Sequence, residues 1–312
     1  MLIRSITLIG AVLCVTLGLL LPWLKTPAII GLCYGLAALG VTVLLRAGQV
    51  SFGHAMYACI AGYTVVFLGR AYPSLDALVL IVAGVVASLV AGALIGVFMV
   101  RYRGIFFGML NLAISMVLFA LLSKFYVITG GTDGLAIERP TLAGFTLERS
   151  EFETALLILT LLAALVLGWL VQRFFGSAAG EALAGIKTNE TRLEYLGLSA
   201  QRILWNGYLL SAGLVGLSGA LFVLLQGLVT PESGYWVRSG EFVFIAILGG
   251  AAHALGAFLG ALVFQVIHLV AAALLTGVWQ MVLGITLIAI ILAAPSGITG
   301  LLLKPRSAAE ES

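Results

Sequence analysis

The side chains best suited to chemistry are few and scattered in this sequence. Its three histidines, His54, His253 and His268, show neither the H-x-x-x-H nor the H-E-x-x-H spacing that places two imidazoles on one helix face for a metal. No G-x-x-x-x-G-K-[ST] phosphate loop occurs, so the reading excludes an ATPase site within the chain. Cys14, Cys33 and Cys59 lie singly in apolar segments and read as small hydrophobes. The acidic residues fall in polar stretches or at the edges of apolar runs. His268, and after it His253, are then the ionisable candidates inside an apolar run, where a proton-coupled carrier keeps its relay. A ring satisfied by a backbone carbonyl is the plainer account of each. No clustered nucleophile, acid–base pair or metal set marks an enzyme.

Two polar features remain. One is the stretch 176–202, GSAAGEALAGIKTNETRLEYLGLSAQR, which concentrates Glu181, Lys187, Glu190, Arg192, Glu194 and Arg202 between apolar walls. Leu183, Ile186, Leu193 and Leu196 recur there at roughly helical spacing, and Gly197 follows as a stop. The spacing predicts a short amphipathic helix outside the bilayer, either shaped for a partner or resting on the membrane surface. The other feature is polar backbone at membrane depth, at residues 49–53 and at Gly249-Gly250. Such backbone survives in lipid only where it lines a cavity or is buried in protein. Helix ends aimed at a cavity there would suit a solute carboxylate. For Gly249-Gly250 taken alone, a glycine-mediated helix crossing is the simpler reading. Gln49, Ser51, Asn111 and Ser115 are the polar side chains that would line such a path, with Gly249 and Gly250.

The elements that position these residues are membrane helices. Hydrophobic residues make up 62% of the 312 and charged residues 9%, against about 25% charge in soluble chains. Mean hydropathy is +1.18. The apolar runs have helical length, which favours a helical bundle over a barrel of short alternating strands. The expected fold is an all-α integral membrane protein, a polytopic bundle of about ten segments (eight to ten) with broken or re-entrant elements. Residues 1–303 form one transmembrane domain, with a loop at 174–202 and a polar tail at 304–312. Spans are expected near 5–21, 28–45, 55–68, 76–100, 105–128, 152–171 and 203–225. Three more fit within 241–294, broken at Gly249-Gly250 and Thr276-Gly277. The N-terminal run resembles a signal peptide but lacks a small-x-small site, so it is kept as an uncleaved span. With both termini inside, ten of the 16 basic residues fall on the cytoplasmic side, including those of the polar loop. One short pattern, H-A-x-x-A, occurs at both His54 and His253, each time after a glycine-bearing break, as in a transporter built from two similar halves.

Several segments together resemble a known family. They are Gln49–Tyr57 with Ala61–Thr64 (QVSFGHAMY, AGYT), Arg101–Phe107 (RYRGIFF) leading to Asn111-Leu112-Ala113, and Thr129–Leu135 (TGGTDGL). Gly185–Gly197 (GIKTNETRLEYLG), Pro231, Ser239, Leu248–Gly250 with Gly256 and Gly260-Ala261, and Pro295–Gly300 (PSGITG) complete the set. In that order and spacing, from about residue 32 to 303, they resemble the branched-chain amino acid ABC transporter permease family, in particular its LivM-type subunits. The resemblance implies a permease subunit in a bacterial inner membrane. It would share a translocation path with a LivH-type second permease and take up branched-chain or related amino acids. Two cytoplasmic ATPase subunits would bind ATP and Mg, this chain holding no cofactor, and an extracytoplasmic solute-binding protein would deliver the solute. The bilayer surrounds the chain and no nucleic-acid partner is expected. The polar loop would be the helix that couples to an ATPase, through Lys187, Asn189, Glu190, Arg192 and Glu194. The chain departs from the family pattern at Lys187, where the family usually has Arg, and at Ala251–Leu255 (AAHAL), where a G-S-L-like segment is usual. Relatives for urea, short amides or other small organic acids keep those solutes as alternatives. An ion-coupled carrier working through His268 is the rival outside the family.

Overall fold

The computed structural model describes residues 22–274 and 297–302, with Met281, Gly284, Ile285, Ile288 and Ala289 between them. The expected first span, the break at Thr276-Gly277, most of the last crossing and the tail 304–312 lie outside the described residues. After a 3-10 turn at Pro22–Leu24 come α1 (Lys25–Arg46), α2 (Ala55–Ala71), α3 (Ala77–Met99), α4 (Gly104–Lys124) and α5 (Arg149–Phe175). Then follow α6 (Ala178–Tyr195), α7 (Ala200–Gln226), α8 (Trp236–Gly249), α9 (Ala254–Leu274) and a short α10 (Gly297–Leu302). Among the described residues six helices are long and apolar enough to cross a membrane: α1, α3, α4, α5, α7 and Ala254–Ala271 of α9. The protein is an all-α, multi-pass membrane protein. A two-residue ladder, β1 (Leu135–Ala136) with β2 (Leu228–Val229), is antiparallel and pairs Leu135 with Val229.

On α3 the packing inverts the pattern of a soluble helix, with small residues inward and large apolar ones outward. On α3, Gly84, Ser88, Gly92 and Gly96 recur every fourth residue and are buried, while Val82, Val86, Val90 and Leu94 are exposed. A four-residue period keeps each set on one helix face. A methyl at Gly92 would meet Ala212 of α7 at 2.5 Å, so the small stripe is what lets α3 and α7 approach. The outward valines have no water to avoid in a bilayer and suit lipid. At the centre, α1 and α7 lie side by side and each is 67% buried along its apolar window.

Two boundaries differ from expectation. α4 stops at Lys124, and a single turn, Tyr126–Thr129, follows it before Gly130 at φ +71. α8 begins at Trp236, so the expected loop 227–240 gives up its last residues to helix. The break before α2 is deeper than a surface loop. The Gly104 amide donates to Gln49 Oε1 at 2.9 Å, and a methyl on Gly108 would lie 2.9 Å from the Val50 carbonyl. A methyl on Gly53 would sit 2.0 Å from the Asn111 carbonyl. Residues 49–53 thus run alongside α4 from Gly104 to Asn111, a rise of about 10 Å at 1.5 Å per helical residue. α2 therefore starts inside the bundle, which is why 17 residues suffice to bring it to the far end.

Candidate functional site

α6 is built for one buried face and one open face. Ser177 Oγ accepts from the Gly180 amide and starts the helix. Leu183, Ile186 and Leu193 are buried, Leu183 against Gly207 of α7. Asn189 interrupts the helix at φ −161, ψ 97, and its Oδ1 accepts from the Arg192 amide at 3.0 Å. A short amide side chain competes with the helical ladder in this way, so the expected single helix is two pieces. Leu196, which the spacing put on the apolar face, is exposed because the helix ends there and Gly197 turns at φ +78.

Two ion pairs seat α6 on its neighbours. Arg103, just before α4, grips Glu190 with two arms, Nη2 to Oε1 at 2.7 Å and Nε to Oε2 at 3.0 Å. That fork-to-carboxylate geometry is the strong form of the contact. Arg46, at the end of α1, lies 3.7 Å from Glu181 and 4.4 Å from the Phe175 ring centre. The Lys187 stem packs on Gly48. Of the five residues expected to make contacts outside the chain, Glu190 is turned onto Arg103. Lys187, Asn189, Arg192 and Glu194 are exposed, beside the exposed apolar residues Tyr195, Leu196 and Leu198. Nothing in the local sequence marks Arg103 or Arg46 as partners of this loop.

Gln49, Ser51, Asn111 and Ser115 come together on a buried seam between α2, α4 and α7 and the turn before α8. Ser51, Asn111 and Ser115 have no accessible surface in the isolated chain, and Gln49 has 5%. The Ser51 hydroxyl meets His54 Nδ1 at 2.5 Å. Tyr57 donates to the Tyr208 hydroxyl at 2.8 Å, and Tyr208 donates to Asn111 Oδ1 at 2.6 Å. Ser115 donates to the Gly234 carbonyl at 2.7 Å, and the Ala55 amide donates to Ser239 Oγ at 2.8 Å. The amides that open α2 are therefore already used inside the chain. Gly249 and Gly250 lie apart from this seam. They cross α9 at Gly256 and Gly260, and the Thr299 hydroxyl donates to the Gly249 carbonyl at 2.8 Å. His253 is half-buried and its pKa is lowered by that burial; its Nδ1 accepts from the Leu255 amide.

At the end opposite α6 lies a cavity of about 660 Å³ between α1, α4, α7, α8 and α9. Its polar lining includes Arg238, Glu241, Gln226 and Gln265, and its aromatic lining Tyr34, Phe119, Phe222 and Phe264. Arg238 Nη1 donates to Glu241 Oε2 at 3.3 Å and also to the Tyr34 hydroxyl. Its guanidinium stands 5.4 and 5.5 Å from the ring centres of Tyr34 and Phe222. His268 also lines the cavity and stacks on Phe264. Arg238 and Glu241 form a pair that polarity at membrane depth does not mark. Their signal was an R-x-x-E step just ahead of an apolar run, legible once the helix is started at Trp236. Beside the cavity two of the resembling segments meet. TGGTDGL, whose Gly130 and Gly134 both hold positive φ, leads into β1, and β1 pairs with the strand before Pro231.

A bundle of apolar helices with an anchored polar helix at one end and a charged cavity at the other is the architecture of a multi-pass membrane protein. The family profile described as "Branched-chain amino acid transport system / permease component" matches residues 23–291, and the chain belongs to that family. It is 27% identical over 261 residues to the high-affinity branched-chain amino acid transport system permease protein LivM of Escherichia coli K12, covering 77% of this chain and 61% of that one. The LivM protein of Salmonella typhimurium is 28% identical, covering 75% of this chain and 60% of its own. The LivH permease protein of Escherichia coli K12 is 24% identical, covering 87% and 92%. The chain thus spans about three fifths of the LivM relatives it matches. No solved structure matches the chain.

Proposed function

We propose that the chain is a permease subunit of an ABC importer for branched-chain or related amino acids. The observation that carries this reading is α6, a polar helix clamped to the bundle by Arg103–Glu190 and Arg46–Glu181 while Lys187, Asn189, Arg192 and Glu194 face outward. A helix clamped to α1 and α4 in this way moves with them, which is what transmitting an ATPase motion requires. The exposed Tyr195, Leu196 and Leu198 add an apolar contact to that face. The α6 end is cytoplasmic in this reading, because Arg46, Arg101, Arg103, Arg173 and Arg202 gather there. The remaining features follow the family. About ten crossings with both termini inside form one domain in a bacterial inner membrane, beside a second, LivH-type permease. Two ATPase subunits bind ATP and Mg, and an extracytoplasmic binding protein delivers the solute to the opposite end.

The test is co-purification of the assembled complex, with ATPase activity and labelled-leucine uptake measured in vesicles. Arg192→Ala/Glu194→Ala is expected to lose most of the bound ATPase subunits while the permease pair stays intact. Arg103→Ala is expected to loosen the same contact by releasing Glu190. Leucine uptake without nucleotide would overturn the importer reading in favour of a self-sufficient carrier. ATP-driven uptake of urea or a short amide, with none of leucine, would move the chain to another solute within the family.

A further inference from the structure

The cavity at the end opposite α6 sets Arg238 and the carboxylates of Glu232 and Glu241 beside an aromatic wall. Arg238 and Glu241 lie three residues apart on one face of α8, with side chains only 29% and 18% exposed. Charges drawn into an apolar bundle cost free energy and mark places where a ligand or ion passes. Their mutual contact is slight for such a pair. Arg238 uses one nitrogen, Nη1, for both Glu241 and Tyr34. Carboxylate recognition by arginine normally uses two parallel N–H groups.

We propose that this cavity is a binding site for a zwitterionic α-amino acid with an apolar side chain. Its carboxylate takes Arg238 together with the Tyr34 hydroxyl. Its ammonium takes Glu241, so the bound solute replaces the long Arg238–Glu241 contact with two charge-assisted ones. Its side chain lies on Phe119, Phe222 and Phe264, which make up the apolar wall. The volume is within the range of small-molecule sites, about 300–1,000 Å³. The proposal rests on the reading of this chain as an amino-acid permease subunit and adds where the solute is held and which of its groups are recognised.

The test uses the complete complex, with Cys14 replaced by alanine and Gln226→Cys as a reporter on the cavity lining. Native Cys33 and Cys59 are buried. Leucine is expected to slow maleimide labelling of the reporter about tenfold when nine tenths of the sites are filled. Isopentylamine, which lacks the carboxylate, and 4-methylpentanoate, which lacks the ammonium, are expected to give no protection. Arg238→Gln, Glu241→Gln and the double variant should each lose protection by leucine while labelling normally without it, which separates binding from folding. A structural ion pair would instead leave protection intact in the uncharged double variant, and that result overturns the proposal. Equal protection by the amine or the acid overturns it too, as does absence of protection in the unmutated site. Leucine uptake by the wild-type complex is measured in parallel. Uptake without protection removes this site and leaves the importer reading standing, whereas absence of uptake removes the reading on which the site rests.

Discussion

Residues 47–71 and 249–274 begin their helices with the same H-A-x-x-A pattern and the same device. In each, the alanine amide that opens the helix is taken by a side chain from elsewhere. Ala55 donates to Ser239 Oγ and Ala254 to Gln172 Oε1, both at 2.8 Å. The surroundings differ. His54 is fully buried, edge-on to the rings of Tyr57 and Tyr208, and its Nε2 has no hydrogen-bond partner among the described residues. His253 is half-buried at the α6 end and bonds locally to the Leu255 amide. What precedes each helix accounts for the contrast. An extended segment climbs along α4 before α2, whereas a tight turn follows the Gly249–Gly260 crossing before α9. A shared five-residue pattern sets a helix start and leaves its depth to the chain around it.

The most severe way to break the comparison is at the glycines that permit each approach. In Gly53→Ala the new methyl would lie 2.0 Å from the Asn111 carbonyl, and in Gly249→Ala 1.9 Å from that of Gly256. Both obstacles are backbone, so no rotamer change relieves them. Each change is expected to cost about 3 kcal/mol or more, seen as lost yield and melting temperature of the detergent-purified complex. Wild-type stability in Gly249→Ala would show that the two helix starts are not built alike.

Next in size is the difference between the histidines. His54→Ala leaves a cavity among tyrosines and is expected to cost about 2–4 kcal/mol, while His253→Ala costs less than about 1 kcal/mol. Equal melting temperatures for the two variants would erase the contrast. The borrowed caps come third. Ser239→Ala strands the buried Ala55 amide at about 1–3 kcal/mol, and Gln172→Ala costs about 0.5 kcal/mol because its bond to Ala254 is only part-buried.

The smallest effect concerns pH. Burial holds His253 below the ordinary histidine value of 6.5. The unfolded chain therefore takes up the proton first, so the stability from neutral His253 is full above pH 6.5 and is lost as pH falls below it. Melting scans from pH 7.5 to 5 should fall slightly more steeply for wild type than for His253→Gln. Parallel curves would place His253 in water in the folded protein.

Much of this architecture was legible in the residues themselves. Apolar length announced α1, α3, α4, α5 and α7, and the glycine and glutamine of the 47–54 segment announced the break before α2. Polar clustering announced α6. Its kink at Asn189 was not legible, since asparagine at that position is equally consistent with an uninterrupted exposed turn. Nor was the role of Glu190, because its partner Arg103 is 87 residues away. Ser51, Asn111 and Ser115 were selected for polarity at membrane depth. That criterion cannot tell a side chain facing a solute path from one hydrogen-bonded inside the bundle, where these three lie.

The sequence by itself determined the class of protein, the positions of most helices, their breaks and the polar loop. Each of these follows from composition and periodicity within a window of some twenty residues, the length a bilayer demands. Only the tertiary structure decided which helix the 49–53 segment climbs along, which arginines hold α6, and that Arg238, Glu241 and Tyr34 share a cavity. Those outcomes depend on pairs as distant as Ala55 and Ser239, 184 residues apart, or Tyr34 and Arg238, 204 apart. Local patterning orders each helix, but which faces meet is settled by the small-residue stripes of several helices packing at once.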